Sequence, residues 1–134
     1  MTQLLLVSHA GVATALLSAL RSIVGDASAA TQTPISLVEQ DRDLTDHFMQ
    51  RLEAAVAELG SAGRLLILTD LPGATPHNLA VKSSASLTIP VVTGLNLPML
   101  LRCVNHPELS PVELADKAID GARQSIFGSH EHAT

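Results

Sequence analysis

The stretch Leu65-Leu66-Ile67-Leu68-Thr69-Asp70-Leu71-Pro72-Gly73-Ala74-Thr75-Pro76-His77-Asn78 constrains this chain more than any other. It opens as an unbroken apolar run of the kind a strand buried on both faces needs, reaches a carboxylate, and turns through Pro and Gly. Helix-compatible sequence resumes at Thr75-Pro76. A carboxylate at the C-terminal end of a buried strand, followed by a small-residue turn and a helix start, stands where open α/β sheets hold their ligands. Asp70 is therefore a candidate site residue on placement alone.

The other segments repeat this strand-turn-helix plan. Leu4 to Val7 reads as a first strand, broken by Ser8-His9-Ala10-Gly11, and Ala13, Leu16, Leu17, Leu20, Ile23 and Val24 follow at helical spacing until Gly25. Asp26 to Thr33 reads as a loop and Ile35 to Val38 as a second strand nearer an edge. Asp41 to Leu59 reads as a helix with Leu44, Phe48, Leu52, Val56 and Leu59 inward and Asp43 as its N-cap. A helix from about Pro76 to Lys82 follows the third strand, and Leu87 to Thr93 suggests a fourth, with Pro90 at its beginning or at a bulge. Gly94-Leu95-Asn96 forms the next turn, and Leu97 to Val104 a short apolar helix. Ser110-Pro111-Val112-Glu113 has the pattern of a capping box that starts a last helix, with Ala115, Ile119, Ala122 and Ile126 as its apolar face and Gly121 as a mild interruption.

Alternation of this kind implies an open, mostly parallel sheet with helices on both faces. With 134 residues the expectation is one domain over residues 1–127 and a flexible tail over 128–134. Aromatic residues make up 1% of the chain, so the core must be aliphatic and no stacking platform for single-stranded nucleic acid is available. The net charge of −5 gives no basic footprint for a phosphodiester backbone either. Proteins or small molecules are the expected partners. One cysteine, Cys103, rules out an internal disulfide and reads as a buried thiol. Leu4 to Val7 is too short to cross a membrane and no basic segment precedes it, so a cytoplasmic protein without direct membrane insertion is expected.

The strand ends bring His9, Asp70 and Asn96 to one edge. From position alone, a turn histidine is as good a reading of His9 as a functional one. Asp70, at the equivalent end of the third strand, favours function: a carboxylate bonded to one imidazole nitrogen fixes the tautomer and leaves the other nitrogen nucleophilic. Such an imidazole, set among amide groups, can accept a phosphoryl group. Ser8, Thr75 and the N–H groups around Gly73-Ala74-Thr75 are the available donors for it, with helix capping the competing role for both hydroxyls. Pro72 and Pro76 read as loop rigidifiers, and Asn78 as a cap or cross-link. His9, Asp70 and His77 could supply three metal ligands, but their spacing matches no local ligand motif, and no metal is expected. Neither a Walker pattern nor a dinucleotide-binding GxGxxG occurs, so no cofactor is expected.

Three segments together, Leu5-Leu6-Val7-Ser8-His9, Leu66 to Asn78, and Thr93-Gly94-Leu95-Asn96-Leu97-Pro98-Met99-Leu100, resemble the mannose-family IIA domain of the bacterial phosphoenolpyruvate-dependent sugar phosphotransferase system. The resemblance implies strand order 2-1-3-4, with an antiparallel edge strand exchanged between two subunits of a homodimer. It implies that His9 takes a phosphoryl group from the phosphocarrier protein HPr, through Nε2, and passes it to a IIB domain, while Asp70 orients the ring through Nδ1. Thr75 stands where the family commonly has Ser, and Ala10 where it often has Gly. The loop aromatics of many transport members are absent, which keeps a second expectation open: a regulatory module whose phosphorylation at His9 switches protein binding without sugar uptake.

Overall fold

The computed structural model describes residues 1–25, 32–41, 45–61 and 63–131. Asp43, Leu44, most of the loop over 26–33 and the end of the tail at 132–134 lie outside the described residues. In chain order the elements are β1 (Gln3–His9), α1 (Val12–Val24), β2 (Ile35–Gln40), α2 (Thr45–Gly60), β3 (Leu65–Thr69), α3 (Thr75–Ser84), β4 (Val91–Thr93), α4 (Leu97–Val104) and α5 (Pro111–Gln124). The sheet has the order β2-β1-β3-β4, and its three pairings are all parallel. This is the architecture that the alternation and the resemblance imply. No antiparallel strand occurs among the described residues of the single chain.

Burial on both faces explains the apolar runs. Successive side chains of a strand point to opposite sides. Leu4, Leu6, Leu66 and Leu68 pack with Leu17 of α1, Leu100 of α4 and Leu114 of α5. Leu5, Val7, Leu65 and Ile67 face the other way, onto Phe48, Leu52 and Val56 of α2 and Ala80 of α3. The central strands β1 and β3 are thus sandwiched between two helical layers, as a parallel sheet requires.

Three expectations shift. The fourth strand is only Val91–Thr93, because Ala85–Leu87 forms a 3₁₀ turn and Thr88 takes a left-handed φ of 54°. Pro90 precedes the strand and contributes what it has, its carbonyl accepting from the Ile67 N–H at 3.1 Å. Ile23 is 55% exposed, so α1 buries a narrower stripe than its spacing suggests. The last helix ends at Gln124 and buries Leu114, Ala115, Ala118 and Ala122, whereas Ile126 lies beyond it, 74% exposed. The inward face is rotated toward small residues because α5 lies close against α4. A Cβ added at Gly121 would come within 3.0 Å of the Cβ of Arg102, so what reads as an interruption is a contact position. The capping box is present as expected, with Ser110 Oγ accepting from the Glu113 N–H at 3.3 Å and Glu113 Oε1 accepting from the Ser110 N–H at 3.1 Å.

Candidate functional site

Because every strand runs in the same direction, the loops that leave their C-terminal ends gather along one edge of the sheet. His9 is the last residue of β1, and Asp70 follows the last residue of β3, the strand directly beside it. Val7 pairs with Thr69, which sets His9 and Asp70 at neighbouring heights. The ring Nδ1 of His9 lies 2.8 Å from Asp70 Oδ2, and the backbone N–H of His9 donates to the same oxygen at 3.0 Å. An ionised carboxylate only accepts, so Nδ1 carries the proton and the lone pair of the neutral ring is on Nε2. The His9 side chain is 44% exposed and that of Asp70 10%, which makes the carboxylate a recessed support for an accessible imidazole. The second oxygen, Asp70 Oδ1, is buried and has no hydrogen-bond partner among the described residues.

Ser8 is fully buried beneath this pair. Its hydroxyl donates to the His9 carbonyl at 2.8 Å and accepts from the Ala13 N–H at 3.0 Å. Of the two roles open to Ser8, the protein in this state uses the capping one. Gly11 precedes α1 with φ 86° and offers no side chain to its N–H groups, which is why caps must come from elsewhere. The third of them, on Thr14, donates to Glu39 Oε2 at the end of β2, at 2.8 Å.

The loop after Asp70 turns at Gly73, whose φ of 79° suits glycine. Asn78 Nδ2 donates back to the Gly73 carbonyl at 3.3 Å, so Asn78 cross-links its own loop. Pro72 is exposed, whereas Pro76 is buried in the first turn of α3. Ala74 is the N-cap residue of α3 and Thr75 its first residue; no side chain caps the start of this helix, no acidic residue stands in its first turn, and the Thr75 side chain is exposed. Uncapped N–H groups and an exposed hydroxyl are the donors an anion needs. Asn96 does something different: its Oδ1 accepts from the Met99 N–H at 2.8 Å and caps α4. His77 pairs with the last residue of β3 instead, its Nδ1 2.8 Å from Thr69 Oγ1. Among the described residues, no three His, Cys, Asp or Glu side chains converge on a point. Cys103 is buried far from this edge, where desolvation pushes its thiol up to about 12.

Two site neighbours escape sequence reasoning. Glu39 reaches α1 only through the register of β2 on β1, in which it is the partner of Ser8. Leu71 is 54% exposed beside Asp70, an apolar side chain on the rim of the site.

The sequence model of the family described as EIIA-man, PTS system fructose IIA component, matches residues 3–116. The chain belongs to this family. Among solved structures, this mannose-family IIA domain is similar to a mannose/sorbose-specific IIA subunit of the phosphotransferase system from Enterococcus faecalis. The two are 27% identical with a TM-score of 0.75, over 97% of this chain and 96% of that one. It is also similar to phosphotransferase system component EIIA from Streptococcus agalactiae, at 25% identity and TM-score 0.75, over 96% and 97% of the two chains. A putative phosphoenolpyruvate-dependent sugar phosphotransferase system permease from Klebsiella pneumoniae shares the fold at TM-score 0.82 and 23% identity, over 99% of this chain and 94% of that one. No curated protein matches the chain significantly. None of the IIA domain's helices, among the described residues, is long and apolar enough to cross a membrane.

Proposed function

We propose that this IIA domain is a phosphoryl carrier, taking the group from phospho-HPr on His9 Nε2 and passing it to a IIB domain. The observation that carries the reading is the 2.8 Å contact between His9 Nδ1 and Asp70 Oδ2. It leaves Nε2 with the lone pair on a ring that is 44% exposed, open to the phosphohistidine of another protein.

In the forward step the Nε2 lone pair forms a bond to phosphorus as the donor's N–P bond breaks, and the donor imidazole keeps that electron pair. His9 acquires imidazolium character, which the Asp70 carboxylate stabilises. The Thr75 hydroxyl and the N–H groups of Gly73, Ala74 and Thr75 hold the phosphoryl oxygens, that of Ala74 in exchange for the Leu71 carbonyl to which it donates at 3.4 Å. Ser8 acts from beneath, keeping α1 and the His9 carbonyl in place. Pro72, Pro76, Asn78 and Asn96 hold the two loops in shape. Transfer onward to IIB is the same displacement with His9 as the leaving group. The displacement uses only the two imidazoles, the Asp70 carboxylate and the loop donors.

The reading includes a homodimer. β4 lies at the edge of the sheet, and Ile126 and Phe127, just past α5, are 74% and 58% exposed. An antiparallel strand from a second copy, laid on β4, covers both the open edge and apolar side chains that a lone chain leaves in water.

The test is transfer from labelled phosphoenolpyruvate through purified enzyme I and HPr to wild type and His9→Ala, followed by a chase with candidate IIB proteins. Label on wild type alone, removed by a IIB, is the expected result. Label that no IIB removes favours the regulatory module instead, and no label on wild type overturns the carrier reading.

A further inference from the structure

The positive end of α1, next to His9, already holds an anion that belongs to the protein. Ala13 and Thr14 give their N–H groups to Ser8 Oγ at 3.0 Å and to Glu39 Oε2 at 2.8 Å. Glu39 comes from β2, where it pairs with Ser8 across the sheet, about 5 Å away at the backbone. It points to the α1 side, because Ile35 and Leu37 pack on that layer and Val38 on the other. Among the described residues, the cation beside Glu39 is directed elsewhere: Arg51 Nη2 donates to the Glu39 carbonyl at 2.7 Å and lies 3.8 Å from Asp41 Oδ2.

Resting on the carrier reading, we infer that Glu39 is a resident negative charge that raises the phosphoryl-transfer potential of His9. A helix N-terminus attracts an anion, and a carboxylate seated there cancels much of that attraction. A phosphoryl dianion on Nε2 then meets repulsion where a neutral residue would leave it stabilised. The site therefore binds the group less tightly and gives it up more readily. In water, one unit charge about 10 Å from a dianion shifts an equilibrium about two- to fivefold, and that is the size of effect expected.

The test mixes phospho-HPr with wild type, Glu39→Gln or Asp41→Asn and measures the phosphorylated fraction of each at equilibrium, in low and high salt. Glutamine keeps an oxygen for the Thr14 N–H, so α1 stays capped while the charge is lost; circular dichroism checks the fold. The expected result is a two- to fivefold shift toward the phosphorylated form in Glu39→Gln at low salt, shrinking at high salt, with Asp41→Asn unchanged. No shift overturns the inference, as does a shift that salt leaves intact or one that Asp41→Asn reproduces. If wild type takes nothing from phospho-HPr, the carrier reading falls, and labelling His9 chemically with phosphoramidate still decides the charge question. Slower hydrolysis of the phosphorylated Glu39→Gln protein then supports the role of Glu39, and equal rates overturn it.

Discussion

Asp70 Oδ2 accepts two hydrogen bonds from a single residue, one from the ring Nδ1–H of His9 at 2.8 Å and one from its backbone N–H at 3.0 Å. Ring and backbone are thus fixed to one oxygen, and rotation of the imidazole away from its tautomer-setting partner is opposed at both ends.

Asp70→Asn keeps an oxygen of similar shape but removes the charge and lets the amide donate to the ring. The expected loss in the rate of phosphoryl transfer from phospho-HPr is on the order of 10²- to 10⁴-fold, without loss of the folded circular dichroism signal. Rapid-quench measurement checks this; a wild-type rate would remove Asp70 from the mechanism.

Phe48 is wholly buried between α2 and the sheet, beside Leu52 and Val56. Phe48→Ala should cost about 3–5 kcal/mol, read as a lower urea midpoint with an unchanged slope. Phe48 makes none of the hydrogen bonds that hold His9 and Asp70, so the variant should still accept phosphate at a temperature where it remains folded.

Burial raises Cys103 from 9.0 to about 12, so the native thiol stays protonated while an unfolded one ionises. The folded value lies above the unfolded one. Its contribution to stability is complete below about pH 9 and is lost as pH rises from there toward 12. Iodoacetamide should leave the native protein unmodified at pH 8 and label it promptly in urea; fast labelling without urea would contradict the packing of α4.

The proposed homodimer predicts that replacing both Ile126 and Phe127 with Asp yields a monomer in light scattering at several concentrations where wild type is dimeric. A wild type that is already monomeric throughout the range would dispose of the exchanged strand.

The sequence was most informative where a residue's surroundings are set by the strand that carries it. Leu4 to Val7 and Leu65 to Leu68 are apolar without interruption because each has helices on both sides, and that needs no knowledge of which helices. That His9 and Asp70 would meet is legible for a related reason, since both stand at strand ends and a parallel sheet collects such ends. Features that depend on two elements meeting were not. The capping of α1 by Glu39 requires the register of β2 on β1, and the inward rotation of α5 requires the contact of Gly121 with Arg102. The true length of β4 was hidden because Leu87 and Ile89 look like strand residues, while the left-handed Thr88 and Pro90 keep the ladder from reaching back to them.

Thr69 joins pieces of the site that are far apart in the chain. Its carbonyl accepts the Leu95 N–H at 2.9 Å, its hydroxyl lies 2.8 Å from the His77 ring, and its successor is Asp70. The loop that carries Thr75 and the loop that carries Asn96 therefore hang from a common peg. Thermal wander in one is inherited by the other, and an approaching protein meets them as a single stiff plate rather than as two independent fingers.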